Sequence, residues 1–425
     1  MASSETSRLL HRPGFVRYFT TVAAARATGT MFNVAGVLLI LQRTHDLALA
    51  GVVVAAASLP GAVTGPFLGG WLDITASRRR LLVLDRVLTA LALGAVLLLA
   101  GHAPNWTLPL AALVYGLTTP LSSGAFQAVL PEVAGPELLE VANAFEGASI
   151  NTAFIVGPAL SGVIAAVSGA ATAVEVQLVA GIVLAVLIAG DETFELRPQH
   201  SESPPEGVLV AVREGIVATW RIAPLRWNVV IDFFYVLAWS TLYVSLPAFG
   251  VKIGAGAHAS GYMWAAVAAG SMIGGFVIRQ RGSSRSSAAF IGGCFVAMAA
   301  SGALWPLAGS LAPALALIFL TGVLDGPGLV GLISIRQRLA PPHLRAAIFT
   351  TATSMHSAEV AAGAAGAGLV HDAWGTNATL LCFPALVAVA GVIAMLSQHE
   401  QDPLAPAGGT PPQLASPARA APGSD

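Results

Sequence analysis

Apolar positions in this chain come in long unbroken runs rather than in the alternating or 3.6-residue stripes of a soluble fold. A helix needs about twenty apolar residues to cross the hydrocarbon core of a bilayer. Runs of that length fall at about 16–40, 50–72, 81–101, 106–130, 144–168 and 171–190, and again at 227–250, 259–279, 287–308, 312–335, 347–370 and 374–396. The pattern predicts an all-α membrane protein of 12 transmembrane helices. An even number of crossings returns both termini to the same side.

The runs are also a repeat. Moving the chain along itself by 206 residues brings Gly69 onto Gly275, Gly116 onto Gly322 and Pro136 onto Pro342, and then Leu138 onto Leu344, Gly157 onto Gly363 and Gly162 onto Gly368. The predicted organisation is therefore a six-helix bundle at 1–190, a cytoplasmic linker at 191–226, a second six-helix bundle at 227–396 and a disordered tail at 397–425. The linker turns amphipathic near Val208–Trp220, and the tail is rich in Pro, Ala and Gly with no apolar period. Duplicated sets of spans are a common construction of secondary transporters, with the substrate held where the halves meet.

Composition agrees. Of 425 residues, 55% are hydrophobic and 10% charged, which excludes a soluble domain of this size. With a cytoplasmic N-terminus, inner segments carry 17 of the 21 Lys plus Arg, while outer loops hold Arg43 and Lys252. Lys and Arg oppose translocation of short loops, so the bias predicts both termini inside. The first run is too long for a signal peptide and is read as the first span. Nothing in the net charge of −1 points to nucleic acid. Cys294 and Cys382 lie in apolar runs as small buried hydrophobes.

Several motifs stand out. Gly69-Gly70-Trp71-Leu72-Asp73 precedes Arg78-Arg79-Arg80, between the second and third runs. Gly157-Pro158-Ala159-Leu160-Ser161-Gly162 lies in the fifth, where proline bends a helix and glycine lets a neighbour approach. Leu130-Pro131 through Pro136-Glu137-Leu138, running into Ala142-Asn143-Ala144, is echoed by Arg336-Gln337-Arg338-Leu339-Ala340-Pro341-Pro342-His343-Leu344-Arg345. Together with Asp85-Arg86, these segments resemble the major facilitator superfamily, and within it the branch of enterobactin-exporter and macrolide-efflux-type proteins. The resemblance implies a central cavity lined by spans 1, 4, 7 and 10. It implies conformational gating by Gly69, Asp73, Arg78 and Arg79, and exchange transport from the Gly157, Pro158 and Gly162 motif.

Ionisable groups inside spans cost about 2.5–3.5 kcal/mol each at a helix centre, which marks them as functional candidates. They are Arg26, Asp232, Asp325 and Glu359, and the repeat relates Arg26 to Asp232. Arg26, Thr30 and Asn33 share one helical face; Asp232, Tyr235, Trp239 and Tyr243 share another. An acid followed by aromatics suits an amphiphilic solute, so Arg26, Thr30, Asn33, Asp232, Tyr235 and Trp239 are the expected substrate contacts. Burial penalises a carboxylate's charge, so Asp325 or Glu359 is the expected proton carrier, with His356 one turn from Glu359. Asp232 then pairs with Arg26 or binds solute. Glu146, Glu175 and Asp85-Arg86 are read as structural charges that reach water near span ends, and His371-Asp372 as an outer loop.

The reading is a proton-coupled exporter of a small amphiphile, such as a drug, secondary metabolite or siderophore, in a bacterial plasma membrane. Its partners are that solute, protons and the lipid bilayer; it needs no cofactor or metal and functions as a monomer. A proton-coupled importer or uniporter is the alternative within transport. A membrane-embedded enzyme would need a cluster of His, Asp or Glu with catalytic spacing, and the nine His are scattered.

Overall fold

Without water to satisfy them, backbone N–H and C=O groups in a bilayer must bond within their own helix or barrel. The computed structural model follows that rule with helices. It describes residues 2–74, 78–195, 219–280, 288–339 and 345–398, with 213, 216 and 217. In chain order the helices are α1 (Ala2–Leu10), α2 (Phe15–Thr44), α3 (Leu47–Ile74), α4 (Arg78–Leu99), α5 (Thr107–Ala134), α6 (Leu139–Ser168) and α7 (Ala170–Ala189). The second half supplies α8 (Ala223–Lys252), α9 (Ala259–Gln280), α10 (Ala288–Ala303), α11 (Leu311–Leu339) and α12 (Arg345–Leu396). Nine helices among the described residues are long and apolar enough to cross a membrane.

The helices overrun most of the apolar runs. His45 ends α2 in the left-handed region (φ 56°) and returns its N–H to Leu41 O. Gly169 (φ 97°) separates α6 from α7 without a loop. Two features depart from the pattern. The N-terminal segment forms α1, whose Leu9 is fully buried. The last two runs are joined in α12, which breaks only at Gly375 (φ 77°, ψ −178°), a conformation essentially reserved for glycine. His371 and Asp372, expected in an outer loop, are therefore helical.

One end of the molecule gathers the N-terminus and the turns around 135–138 and 191–195. Arg8 pairs with Glu137 at 3.0 Å, Arg17 with Asp191 at 2.9 Å, and Arg79 with Glu195. Beneath them Leu9, Phe15, Tyr18, Phe126 and Phe194 form one apolar cluster. At the opposite end Arg43 donates to Leu97 O (2.9 Å), and Lys252 to Pro306 O (3.0 Å). Asp85 and Arg86 were expected near water; they are buried, and Arg86 Nε donates to Asp85 Oδ2 at 2.8 Å. A charge paired inside the bundle has no need to reach the interface.

The repeat is visible in how helices touch. Gly116 lets α5 press on α3 at Ala57, and its mate Gly322 lets α11 press on α9 at Val267. Gly157 seats α6 on α2 at Ala27 and Thr30, and its mate Gly363 seats α12 on α8 at Leu237 and Ser240. The third pair joins the halves: Gly162 of α6 meets Gly261 of α9, and Gly368 of α12 meets Ala48 of α3. Small residues permit these backbone approaches, the main source of helix association in lipid. Leu47, Val244, Ala248 and Ala367 complete the closure there. Both of these glycine contacts lie at the end opposite the N-terminus. A cavity of about 210 Å³ lies between α6, α9 and α11.

Candidate functional site

Asp325 sits mid-way along α11, only 3% exposed. Gly322 and Gly326 bring the α11 backbone against α9 at Val267 and Ser271, which sets the Ser271 hydroxyl on the carboxylate. Ser271 Oγ donates to Oδ2 at 2.8 Å and Tyr235 Oη, from α8, donates to Oδ1 at 2.6 Å. Trp239 Nε1 lies close to the same carboxylate without making a hydrogen bond. Both oxygens are thus held by neutral donors. Ser271 also lines the cavity, together with Thr152 and Ile155 of α6, Gly275 and Phe276 of α9, and Gly326 and Leu329 of α11.

A second cluster holds Asp232. Arg336 Nη2 donates to Asp232 Oδ2 at 2.7 Å and Arg336 Nε to Asn228 Oδ1 at 3.0 Å; Asn228 Nδ2 in turn donates to Leu332 O at 3.0 Å. Arg336 counted among the inner basic residues in the sequence, yet it folds back along α11 into the bundle. Asp232 and Arg336 are the charges that act on both His356 and Glu359 of α12. Glu359 is buried, and among the described residues its Oε2 has no hydrogen-bond partner. His356 and Glu359 share no hydrogen bond among the described residues; instead the His356 ring lies against Phe154 of α6, 4.7 Å between centroids, bridging the halves.

Arg26 does not pair with Asp232. It is bound inside its own half, to Glu146 and, at 2.5 Å, to Ser149 Oγ of α6. Glu146 is accordingly no span-end charge: α6 begins at Leu139, which puts residue 146 two turns into the helix and 6% exposed. Thr30 donates to Ala153 O at 2.7 Å where Gly157 lets α6 close on α2. Asn33 lies within reach of the Tyr243 hydroxyl, across the α2–α8 contact.

The aromatic ladder of α8 packs into the second bundle. Tyr235 stacks on Phe295 (5.1 Å), Tyr243 on Trp264 (5.3 Å), and Trp239 meets Phe383 edge-on (5.2 Å). Tyr235 and Tyr243 are buried and Trp239 half-buried, so in this conformation the ladder is mostly core. Of the expected gating residues, Gly157, Pro158 and Gly162 lie at the α6 crossings, and Arg79 reaches Glu195. The side chains of Gly69, Asp73 and Arg78 lie outside the described residues.

Three participants escaped the sequence reading: Ser271, Arg336 and Glu146. The small-residue stripe Gly270-Ser271 and Gly274-Gly275 signals a close crossing that would carry a serine to its neighbour. Pro136, which starts the turn before α6, signals that the helix begins early enough to bury Glu146. No sequence signal joins Arg336 to Asp232.

Comparison with known proteins agrees with this architecture. A bacterial homolog of the human lysosomal transporter Spinster, solved in an inward-facing and unoccupied conformation, matches with a TM-score of 0.67 at 12% identity, over 93% of this chain and 96% of that one. The MFS-type transporter y4rN of Sinorhizobium fredii is 26% identical over 372 residues, 84% of this chain and 88% of its own. The multidrug efflux pump Tap of Mycobacterium tuberculosis is 26% identical over 397 residues, 90% of this chain and 93% of its own. The family model of the Major Facilitator Superfamily matches residues 18–358, and the chain belongs to that superfamily of membrane transporters.

Proposed function

We propose that this chain exports a small amphiphilic solute in exchange for protons, by alternating access between two six-helix halves. In this reading it crosses a bacterial plasma membrane twelve times with both termini in the cytoplasm, and one chain is the working unit. Asp325 carries the reading. It is a buried carboxylate held by neutral donors, and one of those donors, Ser271, lines a cavity between the halves. A charge left without a cation in such a place is costly, so the group is suited to taking up and releasing a proton. Glu359, with one oxygen unbonded beside the Asp232–Arg336 pair, is the second carrier candidate, and His356 lies next to it at the interface.

The solute class comes from the apolar cavity wall and from the relative named as a multidrug efflux pump. Arg26, Thr30 and Tyr235 are engaged within their own halves, so the solute contacts narrow to Asn33 and Trp239, with Asp232 drawn in when its pair with Arg336 loosens. The test is proton-driven export by Asp325→Asn and Glu359→Gln. Loss of coupled export with solute binding retained, in one or both, supports the reading. Normal coupled export by both variants ends it. Solute flux indifferent to the pH gradient would instead indicate a uniporter, and solute and proton moving together an importer.

A further inference from the structure

We propose that Ser271 is the relay through which a proton passes between the cavity and Asp325; the inference rests on Asp325 being the carrier. The two oxygens of Asp325 differ in what lies behind them. Oδ1 is bonded by Tyr235, whose ring is stacked on Phe295 and met edge-on by Trp239, so that side is closed by packed aromatics. Oδ2 is bonded by Ser271, and Ser271 itself lines the cavity between α6, α9 and α11.

The polar and titratable groups that face Asp325 among the described residues are Tyr235 and Trp239 from α8, Ser271 from α9 and Cys294 from α10. None of them is a charged group, and of the four only Ser271 belongs to the cavity wall. A serine hydroxyl has one proton to give and lone pairs to receive another. A hydronium ion in the cavity gives a proton to Ser271 Oγ as the hydroxyl's own proton passes to Asp325 Oδ2. The hydroxyl is restored, a water molecule is left behind and the carboxylate becomes neutral. Release follows the same path in reverse. The backbone contacts of Gly322 and Gly326 with α9 keep the hydroxyl in register with the carboxylate.

The experiment follows Asp325 itself and needs no transported solute. Purified protein in liposomes is stepped in pH while infrared difference spectra record carboxylic-acid C=O stretches, and the band missing from Asp325→Asn is assigned to Asp325. In Ser271→Ala that band should rise and decay measurably more slowly, because the hydroxyl that joins the cavity to Oδ2 is gone. Gly275→Val keeps the hydroxyl but pushes a side chain toward the route. A Cβ at 275 has no heavy neighbour closer than 3.8 Å, so the variant is expected to fold, and it should slow the band as well. Unchanged kinetics in Ser271→Ala, or in Gly275→Val should the first variant not fold, overturn the relay and leave Asp325 as carrier. Absence of any band that depends on Asp325 overturns the carrier reading and the relay with it.

Discussion

Gly162 of α6 and Gly261 of α9 meet backbone to backbone, so a Cβ at either would collide with the main chain of the other half. With Gly368 on Ala48, this contact closes the halves on each other at the end opposite the N-terminus. Gly162→Val should therefore disfavour the sealed arrangement, with an overpacking cost of about 1–3 kcal/mol. Spin labels placed on the ends of α6 and α9 should report a longer distance than in the parent protein. An unaltered distance distribution would mean that the contact does not hold this state.

Arg26 and Glu146 form a buried pair between α2 and α6. Taking away one member leaves the other as an uncompensated charge, at a cost of about 3–5 kcal/mol, whereas removing both leaves none. Arg26→Leu should lower the thermal unfolding temperature markedly, and the double variant Arg26→Leu with Glu146→Leu should regain most of the loss. If the double variant is as unstable as the single one, the pair matters through something other than its charges.

Asp232 and Arg336 form the corresponding pair in the second half, and Glu359 stands beside them with an unbonded oxygen. That arrangement is asymmetric. Losing Asp232 leaves Arg336 another carboxylate to turn to, while losing Arg336 leaves Asp232 and Glu359 together with their cation gone. Arg336→Gln should thus cost about 3–5 kcal/mol and Asp232→Asn clearly less, judged by unfolding in detergent. Equal losses would show that Glu359 does not take over the arginine.

Much of this was legible in advance for a physical reason: in lipid, backbone bonding forces each long apolar run to be a helix. The helix positions, the repeat of Gly116 with Gly322 and of Gly157 with Gly363, and the burial of Asp325 and Glu359 follow from runs and spacing along the chain. The pairings did not. Arg26 and Asp232 stand at equivalent positions of the repeat, and Asp232 was expected to pair with Arg26 or to bind solute, but each has its opposite charge on a neighbouring helix of its own bundle. Which helix faces which is decided by three-dimensional crossing, and a linear offset does not contain it. The same is true of Tyr235, whose spacing with Trp239 fixes a common face without saying that Phe295 and Asp325 cover it.

Gly375 supplies a test of backbone strain apart from packing. No heavy atom lies within 4 Å of where its Cβ would stand, yet its φ of 77° and ψ of −178° suit glycine alone. Gly375→Ala should lose about 1–3 kcal/mol through strain at the break in α12. Gly366, equally open but within the helix, should gain stability from Gly366→Ala because alanine is the better helix former. Melting temperatures of the two variants should move in opposite directions.

Proton exchange is best examined as solute-induced proton movement in liposomes that contain the purified protein and an interior pH dye, challenged with a panel of amphiphilic drugs and siderophores. A proton flux opposite in direction to the solute flux, and lost in Asp325→Asn, is the predicted result. Solute movement that ignores the pH gradient, or protons travelling with the solute, would contradict it.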